Sequence, residues 1–240
     1  MFDTPKRQMD TVKALDQIER EVYKAVKEYG FKKHGRTLHR FVSEDISQVI
    51  HFQLGQAYLG ATHYLVVNVG IRVPECMDYG YNAETVRKKY YHEYECNLRS
   101  RIGTVEGKEE ACYDLLEQSV ENVSEEIVRQ VQDIVIPAFE VLSSREAILA
   151  NRRAYPNFDR LSNHLILREE ALIYQHLGDF AEAETKYNAY LKNLIHRAET
   201  HSTTIITRKA WVKSALELAK TADIPVSEEN RIRAHVFLNC

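Results

Sequence analysis

Leu65, Val67, Val69, Ile71 and Val73 form an apolar row at every second position, alternating with Tyr64, Val66, Asn68, Gly70 and Arg72. A period of two belongs to a pleated strand with one face on a core. This run therefore commits its neighbourhood to a sheet. Shorter alternating runs over residues 35–42, 46–54 and 95–102, bounded by Gly, Pro or charged turns, predict three further strands. The link Ser43-Glu44-Asp45 is short enough for a hairpin, whereas residues 55–63 make a longer connection. Pro74 closes the third strand because it has no N–H to give to a ladder.

Around these strands the period changes. Val12, Leu15, Ile18, Val22, Ala25 and Val26 recur at helical spacing over residues 9–29, and Gly30 follows where a helix C-cap belongs. From Lys108 onward Leu115, Leu116, Val120, Val123, Ile127, Val131, Ile134 and Val135 suit helices. Ser124 with Glu125 and Glu126 reads as a restart, and Pro137 as a kink or break. Residues 151–159, with Arg152-Arg153 and Pro156, mark a boundary. Beyond it helices are predicted over 161–177, 180–195, 203–221 and 227–238, the first two joined tightly at Gly178-Asp179. The expected architecture is α+β over residues 1–150, an antiparallel sheet of about four strands packed on helices. An all-helical extension over 151–240 follows.

With 240 residues the chain can bury a self-sufficient core. No apolar run approaches the roughly 20 residues needed to span a bilayer, and residues 1–13 lack the apolar segment of a signal peptide. A cytoplasmic protein without membrane contact is expected. Cys76, Cys96, Cys112 and Cys240 form no Cys-x-x-Cys pair, which fits reduced thiols and gives no zinc or thioredoxin motif. A formal net charge of −3 makes nucleic acid an unlikely partner, since such binding relies on counterion release along a strongly basic surface. The charge is uneven: residues 1–105 hold 16 Lys and Arg against 13 Asp and Glu, the remainder 16 against 22.

The second face of the predicted sheet carries the candidate site. If Leu65, Val67, Val69 and Ile71 point inward, then His51, Gln53, Asn68 and Arg72 point outward. On the fourth strand Cys96, Leu98 and Ile102 would go inward, and Asn97, Arg99 and Arg101 outward. Arginines among amides and a histidine suit a carboxylate or phosphate, because guanidinium groups offer forked donors to planar anions. The same face is also what an antiparallel sheet shows to water, or what the C-terminal helices would cover. The alternation over 35–42 is too poor to assign Arg36 and Arg40 to a side. Lys32-Lys33-His34-Gly35-Arg36 and Arg87-Lys88-Lys89 are basic clusters that read as solvated turns or as contacts to an acidic partner. Tyr79, Tyr81, Tyr90, Tyr91 and Tyr94 read as an aromatic contact patch or as a loop folded over one end of the sheet. The histidines, His39 and His51 included, form no metal-ligand pattern. No nucleophile elbow or phosphate-binding glycine loop is present, so neither a catalytic residue nor a cofactor or metal is expected.

Two stretches resemble known families. Gly30-Phe31-Lys32-Lys33-His34-Gly35-Arg36-Thr37, Val49-Ile50-His51-Phe52-Gln53, Val67-Asn68-Val69-Gly70-Ile71 and Arg101-Ile102-Gly103 agree in order and spacing with the bacterial family called domain of unknown function 4304 (DUF4304), over roughly residues 9–145. The resemblance implies a compact α+β domain with an antiparallel sheet on helices, and no activity. This chain departs from it at Cys112-Tyr113, where an aromatic pair is expected. Ala171, Leu177-Gly178-Asp179-Phe180, Ala183 and Tyr187 resemble a single tetratricopeptide (TPR-like) hairpin near 165–195, with Tyr190 where a small residue is usual. One such repeat needs packing support from elsewhere. An adaptor-like hairpin without catalytic motifs points to a non-enzymatic protein-interaction module, binding a protein partner or a second copy of itself. The alternative is a small-anion-binding protein or enzyme that uses the polar sheet face.

Overall fold

The computed structural model describes residues 5–56, 61–77, 88–107, 112–158 and 163–239. They fall into two compact units, Met1–Pro74 with Arg87–Arg160, and Glu75–Val86 with Leu161–Cys240.

The first unit opens with α1, Pro5–Val26, which continues as a 3-10 turn over Lys27–Tyr29. Gly30 ends it in the left-handed region at φ 85°, its N–H donating to the Lys27 carbonyl, as a helix C-cap requires. Leu15, Ile18, Val22 and Val26 are buried, whereas Val12 at the start of the stripe is exposed. The sheet runs β1 (Lys32–His34), β2 (Thr37–Phe41), β3 (Ser47–Gln56), β4 (Ala61–Arg72) and β5 (Leu98–Arg101) in that spatial order, all antiparallel, with β6 (Tyr113–Asp114) also on β4.

Three elements differ from the sequence expectation. The strand predicted over 35–42 is β2, and an unpredicted β1 precedes it in a hairpin joined at Gly35 (φ 55°) and Arg36. Lys32-Lys33-His34 has no apolar alternation to announce a strand, because as an edge it needs none. Tyr113–Asp114 pairs with Tyr64 and Leu65 where a helix is expected, so α3 (Val120–Gln130) starts at Ser119, whose side chain accepts from the Asn122 N–H. The strand expected over 95–102 begins only at Leu98, because Glu93–Glu95 forms a 3-10 turn.

Register fixes the two faces. Leu38, Ile50, Val69 and Ser100 form one cross-strand row, and Arg40, Gln48, Ile71 and Leu98 the next. This face meets the helices: Gln48 Nε2 donates to the Phe139 carbonyl at 2.6 Å, and Ser100 Oγ to that of Asn157 at 2.8 Å. Phe139, on α4 (Ile136–Val141), packs between Phe31 and Phe158. The π-helical turn Val131–Val135 lies just before Pro137, where the missing N–H and ring crowding disturb the preceding turn. A short helix, α2 (Ile102–Val105), follows β5, and α5 (Arg145–Asn151) follows α4.

In the second unit α6 (Asn163–Leu177) and α7 (Phe180–Thr200) form the expected hairpin. Gly178 is at φ 81°, and the Asp179 side chain accepts from the Glu182 N–H. α8 (Ile205–Thr221) and α9 (Glu228–Asn239) pack on α7. Ala171 and Ala183 let α6 and α7 approach, and Tyr187 fills the space beyond them, its hydroxyl donating to the Ala215 carbonyl at 2.6 Å. Tyr190 is buried edge-on to Tyr187, which is why a large residue is tolerated there. Among the described residues no helix is long and apolar enough to cross a membrane.

Candidate functional site

The face of the sheet opposite the helices carries His34, Thr37, His51, Asn68 and Arg101 in one row. Lys32, His39, Val49, Gly70 and Arg99 form the next, then Phe41, Ser47 and Arg72. Residues 88–97 cross this face as a strap. Tyr90 packs on His34 and His39, Tyr91 on Phe41, and His92 on His51. Of the aromatic stretch expected to fold over the sheet, Tyr90, Tyr91 and Tyr94 belong to or lie beside this strap. Tyr79 and Tyr81 fall outside the described residues.

The strap requires Gly70. A Cβ at that position would stand 2.7 Å from Cys96 Cβ and 2.9 Å from its Sγ. Cys96 therefore lies on the polar face rather than in the core, since the 3-10 turn before it breaks the alternation that placed it inward. Its burial pushes the thiol pKa far up, making it inert.

The seven residues singled out in the sequence meet different fates. Asn68 and Gln53 hydrogen-bond each other, and His51 Nδ1 shares a 2.9 Å contact with Thr37 Oγ1. Arg72 lies 4.0 Å over the Tyr91 ring. Asn97 accepts the Val73 N–H at 2.7 Å and so ties the end of β4 to the start of β5. Arg99 reaches Glu93 at 3.6 Å; burial pushes the Glu93 carboxyl up, against the pull of Arg99 and Arg101. The strap thus brings a carboxylate of its own to Arg99.

The uncompensated charge lies next to it. A cleft of about 720 Å³ opens between β1, β2 and the start of the strap. Lys32, Lys33, His34, His39, Lys89 and Tyr90 line it, and among the described residues none of its lining is acidic. Its walls are fixed from below. Glu19, buried on α1, accepts from Arg36 at 2.8 Å and pairs with Lys33 at 3.4 Å, pinning the β1–β2 hairpin to the helix. Lys88 pairs with Glu95, which also accepts the His92 N–H, so the strap is tied to itself. Arg40 borders the cleft, but its guanidinium is engaged by Gln48, the Tyr29 carbonyl and Glu140. Lys32 and Lys89 form no ion pair among the described residues. His39 is buried with its Nδ1 unpartnered. Residues of the two basic clusters, read from sequence as solvated turns or contacts to an acidic partner, line this cleft; its histidine floor was hidden by the poor alternation of β2.

Burial holds His39 below the ordinary histidine pKa of 6.5, reinforced by His34 and Lys32. Burial lowers His51 likewise, with His92 adding to it and a hydrogen bond to the Arg36 backbone carbonyl opposing. A histidine with a depressed folded-state pKa binds fewer protons folded than unfolded, so its contribution is complete above pH 6.5 and is lost as pH falls towards the folded value. Around these rings stand Lys32 and His34 on β1, Thr37 and Phe41 on β2, Asn68 on β4, and Lys89, Tyr90, His92 and Glu93 on the strap. Glu93, whose pKa is raised from 4.5 by burial, acts with opposite sign as pH rises from 4.5. Hydrogen-exchange protection of the strap amides, corrected for intrinsic pH dependence, is expected to be flat from pH 8 to about 6.5 and to fall below it. A flatter profile is expected in His51→Asn.

An antiparallel sheet with helices on one face and a chain segment strapped over the other defines an α+β domain. The chain belongs to the family described as Domain of unknown function (DUF4304), whose model matches residues 22–141. The match takes in the whole sheet, the strap and the cleft, and ends before the helical unit. No curated protein and no solved structure matches this chain.

Proposed function

We propose that this protein is a cytoplasmic, non-enzymatic interaction module that receives an acidic segment of a protein partner in the cleft between β1, β2 and the strap. The reading rests on the contrast between the two halves of the polar face. Arg99 is answered by Glu93 and Arg72 is held over Tyr91, whereas Lys32 and Lys89 present charge with no ion-pair partner among the described residues. A rim of lysines around aromatic side chains suits an acidic peptide, with the charge steering the encounter and the rings supplying contact area. The TPR-like hairpin offers a second contact surface at its tip, where Leu177 and Phe180 are exposed.

A fluorescein-labelled Glu-rich peptide is the probe. Its anisotropy is expected to rise with protein, to fall back as salt is added, and to lose about tenfold in affinity with Lys32→Glu and Lys89→Glu together. Equal binding by the charge-reversed protein would remove the cleft from the proposal.

A further inference from the structure

We infer that the cleft holds a phosphate monoester, gripped by the ammonium groups of Lys32 and Lys89 and hydrogen-bonded at its floor by His39. The inference rests on the reading of the cleft as a binding surface and names the group bound there.

Three features favour a phosphate over a carboxylate. The first is charge: two ammonium groups without ion pairs among the described residues match a phosphate ester, which carries about −1.5 to −2 at neutral pH, better than the single charge of a carboxylate. The second is donor shape. A guanidinium fork would grip either anion, but Arg40, which borders the cleft among the described residues, is already taken on three sides. What remains are lysines, rotatable point charges that can approach the oxygens of a tetrahedral group from separate directions. The third is the floor. His39 is only 7% exposed, it lines the cleft, and its Nδ1 has no partner. Nδ1 itself lies beneath the surface, so a ligand oxygen reaches it by a turn of the ring, and the hydrogen bond gained offsets the cost of a buried polar atom left unsatisfied. Beside it His34 and Tyr90 pack with ring centroids 3.6 Å apart, tilted by 30°, and form one wall. A neutral imidazole can donate or accept at Nδ1 according to its tautomer.

The test compares three labelled peptides of one sequence with phosphoserine, Glu or Ser at the central position, with free phosphoserine and inorganic phosphate as competitors. The phosphoserine peptide is expected to bind about tenfold tighter than the Glu peptide. His39→Leu should abolish that preference, and His39→Asn, which keeps a polar atom near the Nδ1 position, should restore part of it. Lys32→Gln and Lys89→Gln, both at exposed positions, should each weaken phosphopeptide binding several-fold. Equal affinity of the Glu and phosphoserine peptides overturns the phosphate inference and leaves the acidic-segment reading standing. Binding of free phosphoserine with no gain from the peptide supports the phosphate site and overturns the protein partner. No binding by any probe overturns both.

Discussion

Arg40→Ala is expected to destabilise the sheet unit by about 3 kcal/mol, whereas Glu140→Ala, which removes the charged partner of the same arginine, should cost at most about 1 kcal/mol. The asymmetry follows from burial. Arg40 is 9% exposed and donates at 2.7 Å to Gln48 Oε1, at 2.8 Å to the Tyr29 carbonyl and at 2.6 Å to Glu140, with Phe31 4.9 Å beneath its guanidinium. The Glu140 side chain is 58% exposed, so water takes over when the arginine is lost. Gln48 Oε1 has no such recourse, because Gln48 is fully buried and its amide is committed to the Phe139 carbonyl. Leaving buried acceptors unpaired is the larger penalty. The sole tryptophan, Trp211, lies on α8 in the helical unit, so hydrogen exchange at β2 and β3 is the measurement to use rather than intrinsic fluorescence. Equal losses for the two variants would mean that the ion pair, not the buried acceptors, carries the energy.

Arg40 also shows where sequence reasoning stops. The long alternation of Leu65 to Val73 announces β4 because each inward residue is apolar and the core demands it. In β2 the inward position is an arginine paired with a glutamine across the strands, so the pattern that would reveal its facing is missing. The same is true of Lys32–His34, a strand defined by its neighbour and not by its own residues. The C-terminal helices were legible almost to their ends, since glycine, proline and Asp179 punctuate local, short-range structure. The polar face was legible as a face, and His51, Asn68 and Arg101 do form one row. What covers it was not, because the contacts of Tyr90, Tyr91 and His92 with β1–β3 span about forty to sixty residues of chain and leave no periodic trace. Asn97 illustrates the cost: alternation pointed it outward, but the strand does not begin until Leu98, and its amide closes on Val73 instead.

Gly70→Ala is expected to cost about 1–3 kcal/mol and to lift the strap, since the new Cβ would meet Cys96 at 2.7 and 2.9 Å and the Leu98 carbonyl at 3.3 Å. None of these is the far end of a flexible side chain, so the segment itself must move. Cys96 then becomes the reporter. It is buried and inert in the wild type, and peptide mapping after alkylation should find it modified only in the variant, whatever the exposed Cys112 does. Exchange protection over residues 91–96 should fall in parallel. Adding Cys96→Gly removes the atoms in conflict and is expected to restore that protection, a coupling that independent sites would not show. Because Lys88, Lys89 and Tyr90 enter the cleft on the same segment, Gly70→Ala should also weaken binding of the anionic peptides, and the double variant should recover it. A variant that keeps Cys96 protected, or that exposes it without loss of peptide binding, would separate the strap from the cleft. Recovery of both together would make Gly70, which touches no ligand, the residue that holds the site in shape.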